Sequence, residues 1–428
     1  MLLDKTLTYV SLFSGAGVGC YGLLEDGFEC VATNEILEKR LNIQRINRKC
    51  KLDESYISGD IKKPETKEKI LKQIGFYSKK FGNDRVDLVI ATPPCQGMSV
   101  ANHKKKNDEI KRNSLVIESV DLIKQIKPRF FILENVPSFY KTGCIDKNDN
   151  LLEIGSMIEQ NLSGDYMLYD EVINFKNFGA NSSRTRTLVI GVCKEFKDFI
   201  SALEFFPDFK QEKTLKEVIG SLKPLTWGEY DSTDFYHSFR TYPKHMQEWI
   251  KDLKEGQSAF ENIQDAISDL AYLCSNEGAF ESDYLNPIQS SYQALMRKDS
   301  PKLYNHQATN HSQAALEKLK LINKEQGKEC LPKNLHGKQQ FKSTWGRLNW
   351  NKISPTIDTR FDTPSNGTNS HPKLHRSITP REAARIQSFN DNYIFYGNKT
   401  SVCKQIGNAV PPLLALALGK AILKNLRK

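Results

Sequence analysis

The stretch Val86-Asp87-Leu88-Val89-Ile90-Ala91-Thr92-Pro93-Pro94-Cys95-Gln96 decides the fold. Its apolar, β-branched run reads as a buried parallel strand, and two prolines end that strand just before a cysteine. Further along, Phe130-Phe131-Ile132-Leu133 runs in the same way into Glu134-Asn135-Val136. In an open α/β sheet, residues just past the carboxyl ends of strands line the ligand crevice. A thiol and a carboxylate delivered there can face one substrate, as a nucleophile beside an acid. The same residues also fit an ordinary turn with an inert thiol and a loop that opens on Glu-Asn.

Working outward, the first 193 residues alternate short β-branched runs with helical patterns. Strands are expected at Leu7 to Phe13, Glu29 to Thr33, Tyr56 to Ser58, Val86 to Ala91, Phe130 to Leu133, Glu171 to Asn174 and Thr187 to Val192. Helices are expected at Val18 to Asp26, Leu37 to Arg48, Glu65 to Lys79, Leu115 to Gln125 and Leu151 to Asn161. This rhythm predicts an α/β fold with a doubly wound, mostly parallel sheet covered on both faces. Between residues 194 and 340 the pattern dissolves into a mixed stretch, with helical patches only near Gln247 to Leu253 and Ala314 to Asn323. That stretch reads as a second, smaller, irregular domain. Residues 341–428 return to the first domain through Arg347-Leu348, Ser354-Pro355-Thr356-Ile357, a helix over Pro380 to Ser388, and a final apolar helix opened by Pro411-Pro412.

The charge of +10, from 61 Lys plus Arg against 51 Asp plus Glu, favours a polyanionic partner. The run from Lys104 to Arg112 fits either a solvated face or a loop that meets phosphate. No run approaches the roughly 20 apolar residues that span a bilayer, and Met1-Leu2-Leu3-Asp4-Lys5 lacks a signal-peptide core, so a cytoplasmic protein without membrane contact is expected. Nine scattered cysteines without a Cys-x-x-Cys argue against a disulfide framework or a metal site.

Phe13-Ser14-Gly15-Ala16-Gly17-Val18-Gly19 follows the first strand and opens a helix, allowing a ligand close to the backbone. Glu35 after the second strand offers an acceptor for ribose hydroxyls, and Asp60 after the third could accept from an adenine amino group. Either carboxylate could instead cap a helix. The glycines are not followed by Gly-Lys-Ser/Thr, which disfavours a P-loop.

With these three motifs in order, the chain resembles the DNA cytosine methyltransferases that modify carbon 5 using S-adenosylmethionine, of the prokaryotic restriction-modification type. Asn181-Ser182-Ser183-Arg184-Thr185-Arg186 is similar to that family's Gln-x-Arg-x-Arg segment, and Gln405-Ile406-Gly407-Asn408-Ala409-Val410-Pro411 to its closing cofactor motif. The resemblance implies a Rossmann-like fold and a cofactor pocket formed by Phe13, Gly15, Ala16, Gly17, Val18, Gly19, Glu35, Ile36, Asp60, Ile61, Pro93, Leu115, Asn408 and Val410. It implies Cys95 as nucleophile, Glu134 as its acid partner, Arg184 and Arg186 as holders of the base and loop, and residues 194–340 as a target-recognition domain. It departs from the family at Ser11, where Asp is common, at Val18 for Gly, and at Ser182 for Gln.

This chemistry needs these residue types. Carbon 5 of cytosine is a poor nucleophile until a thiolate adds at carbon 6, and nearby positive charge raises the thiolate fraction. A protonated Glu134 could meet ring nitrogen 3, if burial outweighs the neighbouring arginines. No residue declares itself as the base that takes the carbon 5 proton. The target lies inside a duplex, so it must be flipped out. Amino-directed methyltransferases carry a different residue pattern around Pro-Pro, and the similar transfer-RNA enzymes carry a Cys-Phe-Thr absent here. A fold retained without chemistry is disfavoured by Cys95, Glu134 and both arginines together. Double-stranded DNA is the expected partner, with a monomeric enzyme and a cognate restriction endonuclease reading the same sequence. His306 and His311 are expected in surface or capping roles, and Trp227, Tyr230, Phe235, Tyr236 and Trp249 in a core.

Overall fold

The computed structural model describes residues 6–94, 113–196, 205, 213–222, 304–309, 311–322, 327–336 and 343–426. Cys95, the basic run 104–112, the patch at 247–253 and the five aromatics between 227 and 249 lie outside the described residues.

Seven strands form one sheet in the order β3-β2-β1-β4-β5-β10-β8. The strands are β1 (Thr8–Leu12), β2 (Glu29–Glu35), β3 (Tyr56–Ser58), β4 (Leu88–Ala91), β5 (Phe130–Asn135), β8 (Tyr166–Asn174) and β10 (Thr185–Cys193), while β9 (Ser182–Ser183) pairs outside this sheet with Ser354–Pro355. The first five pair in parallel, while β10 runs antiparallel to both β5 and β8. The chain winds outward from β1 to β2 and β3, then crosses back to β4 and β5. The winding therefore reverses between β1 and β4, which is where open α/β sheets bind ligands.

β1, β4 and β5 are buried along their whole length, as continuous apolar runs in a sheet covered on both sides should be. Alternation along each strand divides the core. Val10, Leu12, Val89, Ala91, Phe131 and Leu133 pack with α4 (Val116–Ile126) and α5 (Ile154–Leu162). Tyr9, Leu88, Ile90, Phe130 and Ile132 pack on the other face with α1 (Tyr21–Glu25) and the last helix, α10 (Pro412–Leu426). Two further helices of the winding are α2 (Glu38–Ile46) and α3 (Pro64–Phe81). α1 and α10 touch backbone to backbone at Gly22, where a Cβ would sit 2.0 Å from the Pro412 carbonyl oxygen. α10 thus shares the helical layer of α1 on this face of the sheet.

Three elements differ from the sequence expectation. The helix expected from Leu151 starts at Ile154, because Leu151–Glu153 is β7, a strand paired with β6 (Gly143–Ile145). The Asp146 carboxylate accepts from the Asn148 and Asn150 amides and closes that hairpin, a local turn that overrides helical patterning. β8 begins at Tyr166, well before Glu171, since pairing with β10 extends it. The helix expected over Val18 to Asp26 is a 3-10 turn, Val18–Cys20, followed by the short α1.

A third core joins α6 (Leu215–Ile219), α8 (Pro380–Ile386) and α9 (Lys399–Gly407), with α7 (Gln313–Leu321) further out. Thr379 and Glu382 cap α8 reciprocally, with a proline in its first turn. Residues 399–426 include a window apolar and long enough to cross a membrane. The chain there breaks into α9 and α10 at Asn408–Pro411, and 67% of the window is buried inside the protein, as a core helix would be.

Candidate active site

The Gly-rich turn leaves β1 with left-handed backbone at Phe13, Gly15 and Gly17, with φ of 53°, 55° and 84°. It is tied to β2 by the Ser14 amide donating to the Asn34 carbonyl (3.0 Å) and the Gly15 amide donating to Glu35 Oε2 (2.9 Å). Glu35 Oε1 accepts from the Leu37 amide and from Arg40. The carboxylate is therefore buried and fixed at the rim of the turn. Beside it Ile36 is 58% exposed, an apolar side chain left open at the end of a strand. Asp60, half-buried, accepts from the Lys62 amide, and Ile61 behind it is buried. Half-buried Leu115 precedes α4.

Ala16 is buried, and its carbonyl accepts from Tyr393 at 2.7 Å. Val410 lies against Gly19, close enough that a Cβ there would be 3.1 Å from its own Cβ. Asn408 follows α9 and is exposed. The structure thus gathers Phe13 to Gly19, Glu35, Ile36, Asp60, Ile61 and Pro93 at the carboxyl ends of β1 to β4, with Leu115 at the start of α4 and Asn408 and Val410 brought in by the returning chain.

The segment leading to Cys95 is pinned from both sides. Thr92 donates its hydroxyl to the Phe13 carbonyl (3.1 Å), and Asn135 Nδ2 donates to the Pro93 carbonyl (2.9 Å). The loop after Glu134 is held in turn by Thr187, whose hydroxyl donates to the Val136 and Pro137 carbonyls. Glu134 stands opposite Leu188 of β10 and is 8% exposed. Arg186 Nε lies 3.3 Å from its Oε1. Burial pushes the Glu134 carboxyl up, Arg186 and then Arg184 pull it back, and burial wins.

The two arginines, expected to act together, part company. Arg186 stays with the carboxylate, while Arg184 is buried and donates to the Gly407 carbonyl at 2.6 Å, beside Asn408. Ser182, where the family pattern has Gln, donates to Gln387 Oε1 at 3.4 Å and so belongs to the interior.

The profile of the C-5 cytosine-specific DNA methylases matches residues 7–424. The chain belongs to that family. It is 30% identical to the type II methyltransferase M.DdeI of Desulfomicrobium norvegicum, over 79% of this chain and 72% of that one. It is 25% identical to the type II methyltransferase M1.HphI of Haemophilus parahaemolyticus, over 99% of this chain and 88% of that one. A putative DNA modification methyltransferase encoded within an Escherichia coli prophage has a similar fold, with a TM-score of 0.62, 24% identity, and coverage of 99% of this chain and all of the other.

In this methylase, sequence reasoning missed the supports beneath the turn. Gln44, fully buried on α2, donates through Nε2 to Ser14 Oγ and to the Gly15 carbonyl, both at 2.8 Å. Its Oε1 accepts from Thr33 Oγ1 (2.8 Å), which accepts from Lys49 Nζ (3.1 Å). Gly17 must lack a side chain, since a Cβ would fall 2.5 Å from Gln44 Cγ. The signal in the sequence was a polar residue beside Leu41 and Ile43 on the inward side of an amphipathic helix. Among the described residues no group of three His, Cys, Asp or Glu is placed to hold a metal ion.

Of the surface and capping roles expected for His306 and His311, the surface one is corrected, because both are buried. His306 Nδ1 bonds Thr379, the cap of α8, at 2.9 Å, and His311 Nε2 accepts from the Ser377 amide at 3.0 Å. They hold the entry to α8 together.

Proposed function

We propose that this methylase transfers a methyl group from S-adenosylmethionine to carbon 5 of a cytosine flipped out of double-stranded DNA, through a covalent Cys95 adduct. The observation that carries the reading is the bond from Asn135 to the Pro93 carbonyl, which ties the strand end bearing Glu134 to the segment running into Cys95. In this reading the Cys95 thiol and the Glu134 carboxyl serve one base.

The residues at the strand ends suit the cofactor chemically. Phe13, Ile36 and Leu115 offer apolar surface for a purine, and Glu35 and Asp60 offer acceptors for ribose hydroxyls and an exocyclic amine. Gly15 to Gly19, Pro93, Asn408 and Val410 complete the wall. When bound, S-adenosylmethionine supplies an electrophilic methyl group. The protein's own part begins with the Cys95 thiolate adding to carbon 6, which makes carbon 5 nucleophilic. Charge then moves toward ring nitrogen 3, where Glu134, whose neutral form burial favours, donates a proton or hydrogen bond. Arg186 keeps the carboxyl pointed at the base, and Arg184 couples that corner to the segment carrying Asn408. Loss of the carbon 5 proton finally expels the thiol.

Flipping costs a few kcal/mol, offset by contacts to the extruded base and the duplex. Residues 194–340 serve as the target-recognition domain, and the protein acts in the cytoplasm, protecting host DNA from a restriction endonuclease that reads the same sequence. Bisulfite sequencing of DNA from cells expressing the protein tests the product and reveals the site; unmodified cytosines throughout would overturn the assignment. Cys95→Ser should abolish transfer while S-adenosylmethionine still binds, and retained turnover would exclude the adduct. Equal labelling of transfer RNA and duplex DNA would overturn the substrate.

A further inference from the structure

Beneath the Gly-rich turn lies a buried chain of hydrogen bonds whose direction is dictated by one charge. Lys49 is only 3% exposed, its ammonium donates to Thr33 Oγ1 at 3.1 Å, and it stands 6.0 Å from the centre of the Tyr9 ring. Among the described residues no carboxylate pairs with it. Taking an ammonium out of water without an anion is costly, and an apolar side chain of similar length would avoid that cost. The bonds that follow from Lys49 show what the charge contributes.

An ammonium can only donate. Thr33 Oγ1 accepts from it and so must send its own single proton elsewhere, which it does to Gln44 Oε1 at 2.8 Å. That contact fixes which end of the Gln44 amide faces Thr33. The Nε2 end is left toward the turn, where it donates to Ser14 Oγ and to the Gly15 carbonyl, both at 2.8 Å. Ser14 Oγ, having accepted, donates to the Asn34 carbonyl at 3.0 Å. Without the ammonium, Thr33 is free to accept from Nε2 instead. The amide can then turn its oxygen toward the Gly15 carbonyl, where two acceptors repel.

The same side chains pack under the turn. A Cβ at Gly17 would fall 2.5 Å from Gln44 Cγ and 3.2 Å from Lys49 Cδ, whereas a Cβ at Gly15 would meet nothing within 4 Å. The turn is braced from below and open at Gly15. Both polar groups of Gly15 are gripped, the carbonyl by Gln44 and the amide by Glu35 Oε2.

We propose that Lys49 is a positioning residue for the cofactor, acting through Thr33 and Gln44 to hold Gly15, and with it the Glu35 carboxylate, in the geometry that binds. Its ammonium fixes the proton order of the chain that shapes the turn and does not itself meet the ligand. The inference rests on the turn being the S-adenosylmethionine site.

The test compares the full-length wild type with Lys49→Met and Gln44→Glu, by calorimetric titration with S-adenosylmethionine and by thermal melting without it. Lys49→Met removes the charge at similar length, so the melting temperature should hold or rise. Its affinity should nonetheless fall about fivefold to tenfold, the worth of one hydrogen bond. Gln44→Glu keeps the shape and the acceptor toward Thr33 but sets a carboxylate against the Gly15 carbonyl, and its affinity should fall at least as far. In turnover, the loss should appear in KM for S-adenosylmethionine rather than in kcat. Wild-type affinity in either variant would overturn the proposal, whatever happens to the melting temperature. If Lys49→Met loses stability as well as affinity, a loss confined to KM sustains the positioning role, and a parallel loss of kcat overturns it. A wild type that binds no S-adenosylmethionine would overturn the reading of the site, and this inference with it.

Discussion

The core under the parallel strands and the core of the returning chain are built from different materials. Beneath β4 and β5 the buried side chains are Leu88, Val89, Ile90, Phe130, Phe131 and Ile132, with helices on both faces. Around α8 the largest fully buried side chains are Arg376, Arg381 and Arg385. Arg376 is held by both oxygens of Glu382, and Arg385 by both oxygens of Asp391 with Ser221 and the Val218 carbonyl as further acceptors. Arg381 donates to the Tyr304, Asn390 and Tyr393 carbonyls, and Arg347 to those of Leu319, Ile322, His371 and Leu374. An aliphatic core tolerates small changes of shape, whereas a buried ion pair is directional and punishes removal of one partner. The first core presents strand ends; the second fastens loops that arrive from distant parts of the chain.

At the end of β5, on the first core, the largest effect is expected. Glu134→Gln should lower kcat by about 10²- to 10⁴-fold, the usual worth of a positioned acid. The alkaline fall of the wild-type pH profile, set by ionisation of a carboxyl that burial has raised, should vanish in that variant. An unchanged alkaline limb would assign it to another group.

Within the second core, Arg385→Leu leaves the buried Asp391 carboxylate with only Arg381, at 3.9 Å, and should cost about 3 to 5 kcal/mol in denaturant unfolding. A loss near 1 kcal/mol would mean that this core behaves like the first.

The same core should respond to acid. Burial, aided by Lys399 and Arg376, pushes His311 down to about 4, below its ordinary 6.5. Unfolded protein therefore takes up the proton first, and stability present above pH 6.5 is lost as pH falls toward 4. The loss should be on the order of 3 kcal/mol from this buried group. His371, pushed down to about 3 by burial, adds in the same direction. His311→Gln should flatten the dependence of melting temperature on pH; an equal slope would remove His311 from the account.

The smallest effect belongs to the first core. Ile132→Val should cost about 1 kcal/mol and leave the pH dependence untouched.

The sequence made the strand ends legible because a buried parallel strand leaves a long apolar run, and a turn after it leaves Pro or Gly. Thr92-Pro93-Pro94, Glu134-Asn135 and the Gly15 to Gly19 turn were readable for that reason. The β6–β7 hairpin was not, since Leu151–Glu153 carries too few residues for a period to show. Gln44, Lys49 and Thr33 left only a polar residue at an inward position, and their partners lie far off along the chain.

What the sequence determined by itself was the winding of the sheet and the residue types at its carboxyl edge, because local hydrophobic period and turn chemistry act within a few residues. Tertiary structure alone decided that Arg184 joins Gly407 while Arg186 keeps Glu134, and that burial outweighs both arginines at that carboxyl. Those outcomes depend on distance and solvent exclusion between β5, β10 and α9, which no local pattern encodes.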